Sequence, residues 1–235
     1  MLRFVLVEPA VPENVGAAAR ALKTMGFGSL WIVNSRAFEA KQAKILAHGS
    51  GEILDQARHF SSLEAVRNEV DLMVGTSAKP RHHRDVLLSP QDLKTNLADK
   101  LGAGANVALV FGREESGLHS AEIALCDLLT SLPLAAPYPS LNLGQAVMLY
   151  AYALSDLDGE TRSQSGDAGQ YRALREKALA LSSTLGYTPE CKFTQWMLEH
   201  LPLLDTRSLG FMHQLVDKMN DALVEAKPGA RSVDD

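Results

Sequence analysis

Short apolar runs with strand character recur through the first two-thirds of the chain, at Phe4–Val7, Leu30–Val33, Leu72–Val74, Val107–Phe111 and Leu128–Leu132. Helical patterns lie between them. Ala18, Leu22 and Met25 mark one helix, closed by Gly26 as a C-terminal cap. Ser61 with Glu64 predicts a capping box and a second helix. Ser89, Pro90 and Asp92 predict the start of a third. Alternation of this kind predicts an α/β fold, a mostly parallel sheet with helices on both faces.

The pattern then changes. Residues 156–170 contain Asp, Gly, Ser, Thr and Gln and almost nothing apolar, a linker composition. Beyond them the period is purely helical. Leu174, Ala178, Leu181 and Leu185 share a face that Gly186 ends, and Thr188-Pro189-Glu190 opens a helix carrying Phe193, Trp196, Met197 and His200. Leu209, Met212, Leu215, Val216, Met219 and Leu223 mark the last helix. The plain reading of these stripes is the core of a small bundle. The expected organisation is an α/β domain over 1–155, a linker over 156–170, a helical region over 171–226 and a flexible tail over 227–235. No internal repeat is present.

Composition narrows the class. The 235 residues, 46% hydrophobic and 22% charged, suit a soluble globular protein with ample material for a core. Cys126 and Cys191 lie far apart and form no CxxC pair, so a disulfide framework or zinc site is not expected. No apolar run is long enough for a membrane span, and the opening residues read as a strand rather than a signal peptide. A cytoplasmic protein is expected. The net charge of −5 is unusual for a nucleic-acid binder. Through Leu154 there are 14 Lys/Arg against 15 Asp/Glu, and beyond it 9 against 13, so the acidity belongs mostly to the C-terminal third. One dense basic stretch, Lys79-Pro80-Arg81-His82-His83-Arg84, is a candidate local grip on phosphates.

Three segments carry candidate chemistry, each where a strand hands over to a helix. Such points gather at one edge of an open α/β sheet. In Asn14-Val15-Gly16-Ala17-Ala18-Ala19-Arg20, Asn14 suits an N-cap. Gly16, Arg20 and Lys23 fall on one face, where a missing side chain at Gly16 would admit a phosphate or sugar. Alone, the segment reads more simply as a capped helix with a solvated arginine. In Phe111-Gly112-Arg113-Glu114-Glu115-Ser116-Gly117, two glycines bracket a turn whose carboxylate could accept from a hydroxyl or amine, or pair with Arg113 or Arg20. In Ser140-Leu141-Asn142-Leu143-Gly144-Gln145-Ala146, Ser140 begins a helix whose first turn favours an anion or polar ligand. Gly75-Thr76-Ser77-Ala78 ends another strand with small residues of the kind that line a cofactor pocket. Glu8 faces either the same crevice or water. Neither a Rossmann G-x-G-x-x-G nor a P-loop occurs, and adjacent His82 and His83 are poor joint metal ligands.

Together and in this order, N-x-G-x-x-x-R, F-G-x-E-x-x-G and S-L-N-x-x-x-A resemble the signature motifs of the SPOUT-class, TrmH-like RNA ribose methyltransferases. The chain looks most like the TrmJ branch and its LasT-type relatives over about its first 155 residues. The resemblance implies an S-adenosylmethionine-dependent 2′-O-methyltransferase acting on tRNA or rRNA, with tRNA the first expectation, and without a metal. It also implies a homodimer and a deep C-terminal trefoil knot, which sequence spacing alone would not suggest. By motif, the catalytic set is Asn14, Arg20, Glu114, Ser140 and Asn142. Cofactor-facing positions are Thr76, Ser77, Ala78, Gly112, Leu132, Ser140 and Leu141. Lys23, Lys79, Arg81 and Arg84 are the RNA-contacting candidates. The family's activating residue corresponds to Arg20. Guanidinium essentially never deprotonates, so stabilising an alkoxide or holding a phosphate is the easier role. A cofactor-binding RNA-associated chaperone or regulator without turnover is the competing class.

Overall fold

The computed structural model describes residues 1–78, 86–136, 140–157 and 169–226. The basic stretch of Lys79, Arg81 and Arg84, most of the linker and the tail lie outside the described residues. The chain divides into two compact units, Met1–Gly169 and Gln170–Asp235.

In the first unit, six strands form one sheet: β1 (Leu2–Val7), β2 (Leu30–Val33), β3 (Arg58–Phe60), β4 (Leu72–Thr76), β5 (Val107–Phe111) and β6 (Leu128–Thr130). Their order is β3-β2-β1-β5-β4-β6, with every neighbouring pair parallel. A parallel sheet must be covered on both faces, which is why its strands read as near-continuous apolar runs. Among the described residues seven α-helices flank it: α1 (Pro12–Thr24), α2 (Lys41–Ala47), α3 (Gly51–Asp55), α4 (Leu63–Arg67), α5 (Pro90–Gly102), α6 (Ser120–Leu125) and α7 (Leu143–Leu154). Side chains alternate along a strand, so β1 sends Val5 and Val7 to one side and Phe4 and Leu6 to the other. Val5, Val7, Trp31, Val33, Met73 and Val110 pack with Leu63 and Val66 of α4 and Ile123 of α6. On the opposite face the rings of Phe4 and Phe111 lie 6.1 Å apart, and Tyr150 of α7 meets Phe111 edge-on at 5.6 Å. The order reverses at β1, with β2 on one side and β5 on the other. Such a reversal opens a crevice at the carboxyl edge of the strands.

Several local expectations shift. Strand β3 has no apolar run to announce it, since only Phe60 of its three residues is buried. Arg58 holds this edge by lying over the Trp31 and Phe60 rings and by a bidentate pair with Glu69 at 2.7 and 2.8 Å. Strand β6 ends at Thr130 rather than Leu132, and the cap of α4 is Ser62, one residue beyond the expected Ser61. Ser89 caps α5 as expected, its hydroxyl accepting from the Asp92 N–H at 3.2 Å.

Gly16 is a larger correction. It is not open to a ligand: a Cβ there would sit 2.2 Å from the Ala43 carbonyl oxygen of α2. The missing side chain admits a neighbouring helix backbone instead of a phosphate.

The second unit holds α8 (Gln170–Thr184), α9 (Lys192–His200) and α10 (Thr206–Ala226). Leu174, Ala178, Leu181, Leu209 and Val216 are buried as the period predicts. The rest of the stripe is not core. Leu185, Phe193, Trp196, Leu215 and Met219 are all at least 40% exposed. Tyr187, Phe193, Trp196 and His200 instead form a row of successive ring contacts, with centroids 4.8, 6.3 and 4.7 Å apart. The α9 cap is Cys191 rather than Thr188, its sulfur accepting from the Thr194 N–H.

The contact at Gly16 predicts a stability effect. Gly16→Ala should destabilise the protein by about 1–3 kcal/mol, because the clashing atom is backbone and cannot rotate away. The urea midpoint should fall with an unchanged slope.

Candidate active site

The three motif segments meet through one carboxylate. Glu114 follows β5, and its side chain reaches the first turn of α1. Its Oε2 accepts from the Ala10 N–H at 3.1 Å, and its Oε1 accepts from the Val11 N–H at 3.2 Å and from Asn14 Nδ2 at 3.0 Å. Helix α1 begins at Pro12 with Val11 in the cap position, and Val11 offers no side-chain acceptor. Glu114 therefore supplies, from about a hundred residues away, the negative charge and acceptors that a helix start needs. Burial opposes its ionisation, yet the bonds from Asn14, Ala10 and Val11 outweigh it and hold the carboxyl below its ordinary value. The expected free acceptor for a substrate hydroxyl is thus already engaged, and Glu114 pairs with neither Arg113 nor Arg20.

Asn14 is not the N-cap expected from sequence. It lies inside the first turn, buried, and passes the connection on: Asn142 Nδ2 donates to Asn14 Oδ1 at 2.7 Å. Asn142, rather than Ser140, caps α7. Its Oδ1 accepts from the Gly144 N–H at 2.9 Å, and Gln145 Oε1 accepts from the Asn142 N–H at 3.1 Å. The Gln145 N–H also donates to the Asn142 side chain, so its oxygen is taken up by the cap, and what the amide keeps for a ligand is its second N–H. Ser140 sits before the helix with an exposed side chain, and Leu141 is half-buried. Gly144 lets α7 approach α1, since a Cβ there would lie 2.8 Å from the Ala17 Cβ.

Arg113 was not singled out from sequence, yet it braces the turn that presents Glu114. Its Nε donates to Glu8 at 2.7 Å, and its two terminal nitrogens donate to Glu122 at 3.0 Å each. Glu122, then Glu8, raise the guanidinium pKa above its ordinary value. Glu8 therefore faces the crevice edge. Its carboxyl is held low by Arg113 and by Asn34, whose Nδ2 donates at 2.9 Å. Glu8 and Asn34 have φ of 47° and 49°, a left-handed backbone that costs a non-glycine residue roughly 1–2 kcal/mol. Gly117 closes the turn at φ 66°. A Cβ on Gly112 would lie 2.1 Å from the Gly117 carbonyl carbon, so this glycine serves the turn itself before any ligand.

The remaining strand ends lie beside these. Thr76 Oγ1 donates to the Val110 carbonyl at 3.0 Å, and the Ser77 N–H donates to the Thr130 carbonyl at 2.9 Å. Thr76 and Leu132 are half-buried and Ala78 is exposed. Small polar residues and backbone edges, with Leu132 and Leu141 as apolar surfaces, suit a nucleoside-bearing cofactor. Lys23 pairs with Glu52, a partner that sequence spacing does not announce. Arg20 is exposed, with no guanidinium partner among the described residues.

Residues 1–152 match the family described as SpoU rRNA Methylase, and the chain belongs to that family. Residues 168–223 match the C-terminal domain of the tRNA/rRNA methyltransferase LasT, which places the chain in the LasT/TrmJ branch. It is 42% identical to an uncharacterised tRNA/rRNA methyltransferase LasT of Escherichia coli, over 92% of this chain and 95% of that protein. It is 38% identical to the tRNA (cytidine/uridine/adenosine-2′-O-)-methyltransferase TrmJ of Pseudomonas aeruginosa, over 64% of this chain and 59% of that one. Among solved structures, a probable methylase family protein from Haemophilus influenzae superposes with a TM-score of 0.64 at 27% identity, covering 96% of this chain and 98% of that one.

The engagement of Glu114 predicts a pH effect. Its folded pKa lies below the ordinary 4.5, so its stabilising contribution is present above that value and lost as pH falls through the lowered folded one. Glu114→Gln, which turns an N–H₂ toward backbone donors, should cost about 1–3 kcal/mol near neutrality. It should also shrink the stability lost on acidification, measured by urea unfolding from neutral to acid pH.

Proposed function

We propose that the chain transfers a methyl group from S-adenosylmethionine to a ribose 2′-hydroxyl of RNA, tRNA rather than rRNA, as a cytoplasmic homodimer. The observation that carries this reading is the hydrogen-bonded line Glu114–Asn14–Asn142, which draws the three motifs into one place. The TrmJ relative of Pseudomonas aeruginosa, named for 2′-O-methylation of tRNA, supports the choice of reaction and substrate. Two free cysteines, Cys126 and Cys191, suit a reducing compartment. Family membership supports a knotted C-terminal half of the sheet. The reading without turnover is not favoured, since the motif residues of the family are all present.

Thr76, Ser77, Ala78, Gly112, Leu132, Ser140 and Leu141 would hold the cofactor at the carboxyl edge. When bound, S-adenosylmethionine supplies a methyl group on an electrophilic sulfonium. The chain's own task is to orient a weakly acidic hydroxyl in line with that methyl and to accommodate its proton loss. Asn142, with its second amide N–H, and the exposed Ser140 hydroxyl would orient the ribose. Glu114 and Asn14 hold Asn142 in place. Arg20, always cationic, would stabilise the developing alkoxide or hold the adjacent phosphate.

Arg20 would do so across a dimer interface. Helix α1 packs between α2 and α7, and this three-helix surface exposes Leu46, Leu149 and Tyr152, with Tyr152 69% exposed. Exposed apolar residues on the helices flanking α1, together with an arginine that has no guanidinium partner among the described residues, suit cover by a second copy. Lys79, Arg81 and Arg84 would contact phosphates beside the reacting ribose. Lys23, already neutralised by Glu52, is the weaker candidate.

Nucleoside mass spectrometry of RNA from cells lacking the protein should lose one 2′-O-methylated nucleoside from the tRNA fraction. Loss of a base methylation instead would overturn the ribose assignment. Arg20→Ala should lower single-turnover methyl transfer more than RNA affinity. Mixing Arg20→Ala protein with Asn142→Ala protein should restore part of the activity if sites are shared. Alanine at Lys79, Arg81 and Arg84 together should weaken RNA binding and flatten its salt dependence by about 2 in slope. Cofactor affinity should be unchanged, as titration at several salt concentrations would show.

A further inference from the structure

The cofactor edge is tied to the helix that carries Asn142 by a buried pair of hydroxyls. Thr130, the last residue of β6, is fully buried. Its backbone carbonyl accepts from the Ser77 N–H at 2.9 Å, and its hydroxyl donates to the Leu88 carbonyl at 2.9 Å. The next amide, Ser131 N–H, donates to the same Leu88 carbonyl at 3.0 Å, while the Leu88 N–H donates to the Leu129 carbonyl at 2.9 Å. Thr130 therefore joins the end of β4, the segment at Leu88 and the exit of β6. These segments lead directly to Thr76–Ala78 on one side and to Leu132 on the other.

Into this junction Tyr150 of α7 donates a hydrogen bond, from its hydroxyl to Thr130 Oγ1 at 3.2 Å. Tyr150 is 2% exposed and lies two turns along the helix that Asn142 caps. A threonine hydroxyl carries one proton and rotates freely unless a neighbour decides where it points. With Tyr150 donating to the oxygen, the threonine proton is committed to Leu88. Two such bonds in series also polarise one another in a dry interior. The Tyr150 ring has a separate job, packing edge-on against Phe111 beside Gly112, so its ring and hydroxyl are separable by substitution.

We infer that Tyr150 is a positioning residue for the cofactor edge: its hydroxyl, acting through Thr130, holds the strand ends that carry Thr76–Ala78 and Leu132 at their spacing. The inference rests on the cofactor placement above and extends it to a residue outside the three motifs. It links the ribose-orienting helix to the cofactor edge by a path that avoids Asn14 and Glu114.

Tyr150→Phe keeps the ring and removes only the hydroxyl. Calorimetry with S-adenosylmethionine on the full-length protein should show an affinity loss of about fivefold to tenfold, the scale of one buried hydrogen bond. The KM for the cofactor should rise with it. The kcat at saturating cofactor should stay within about twofold, the pattern of lost cofactor binding rather than lost transition-state contact. Thr130→Val should weaken cofactor binding similarly, Thr130→Ser should retain most of it, and Tyr150→Phe should add little in the Thr130→Val background. A Tyr150→Phe protein with a lowered Tm but wild-type cofactor Kd and KM would overturn the inference, as would a Thr130→Val protein that binds normally. Wild-type protein that takes up no S-adenosylmethionine would overturn the cofactor placement itself, and this inference with it.

Discussion

A single carboxylate holds the first unit's crevice together. Glu114 gives both oxygens to the start of α1, a helix whose own cap residue, Val11, has no acceptor to offer. Without that carboxylate the exposed Ala10 and Val11 amides and the part-buried Asn14 amide lose their acceptor together, and the start of α1 loses a negative charge beside the positive end of its dipole. Asn14 then fixes Asn142, and Asn142 caps α7. Groups about a hundred residues apart in sequence become one connected line, and the two helices that flank the proposed ribose site take their orientation from it. The turn that presents Glu114 is itself braced, by Arg113 against Glu8 and Glu122.

Small residues make this geometry possible. Helix α1 lies between α2 and α7, and at each contact a glycine removes a Cβ that would keep the helices apart: Gly16 of α1 toward the α2 backbone, and Gly144 of α7 toward Ala17 of α1. The glycines of the motifs therefore act first as packing and turn residues. Gly112 follows the same rule, its absent side chain making room for the Gly117–Leu118 backbone. In the proposed reading, ligand access at this edge falls instead to strand ends and to the side chains of Thr76, Leu132, Ser140 and Leu141.

The second unit has a different character. Its buried stripe is narrow, and its longest helix and its aromatic row present substantial apolar surface. The acidity of the C-terminal third does not reside in these helices. Residues 155–169 hold 1 Lys/Arg and 4 Asp/Glu, whereas residues 170–226 hold 6 and 7. The helical unit is close to neutral, and charge alone does not set it against an RNA partner.

Much of the architecture was legible in the chain itself. Near-continuous apolar runs separated by helical periods dictate a parallel sheet with two covered faces, and β1, β2, β4 and β5 fall where those runs lie. The segments at Asn14, Glu114 and Asn142 were visible because polar residues and glycines stand at strand ends, where packing alone does not call for them. What periodicity could not supply was partnership. Strand β3 forms because an edge position needs one buried residue and an arginine stacked on Trp31, not an apolar run. The caps of α1 and α7 differ from the expected ones because Glu114 reaches α1 from another strand and Asn142 bonds to Asn14, contacts that local spacing does not encode. The outer residues of the C-terminal stripe are exposed because the period marks a face, while only the neighbours of that face decide which of its residues are covered. Sequence determined the elements and the chemical inventory of the site. Tertiary structure decided which donor met which acceptor, because hydrogen-bond pairing across strand ends depends on three-dimensional register that no one-dimensional period carries.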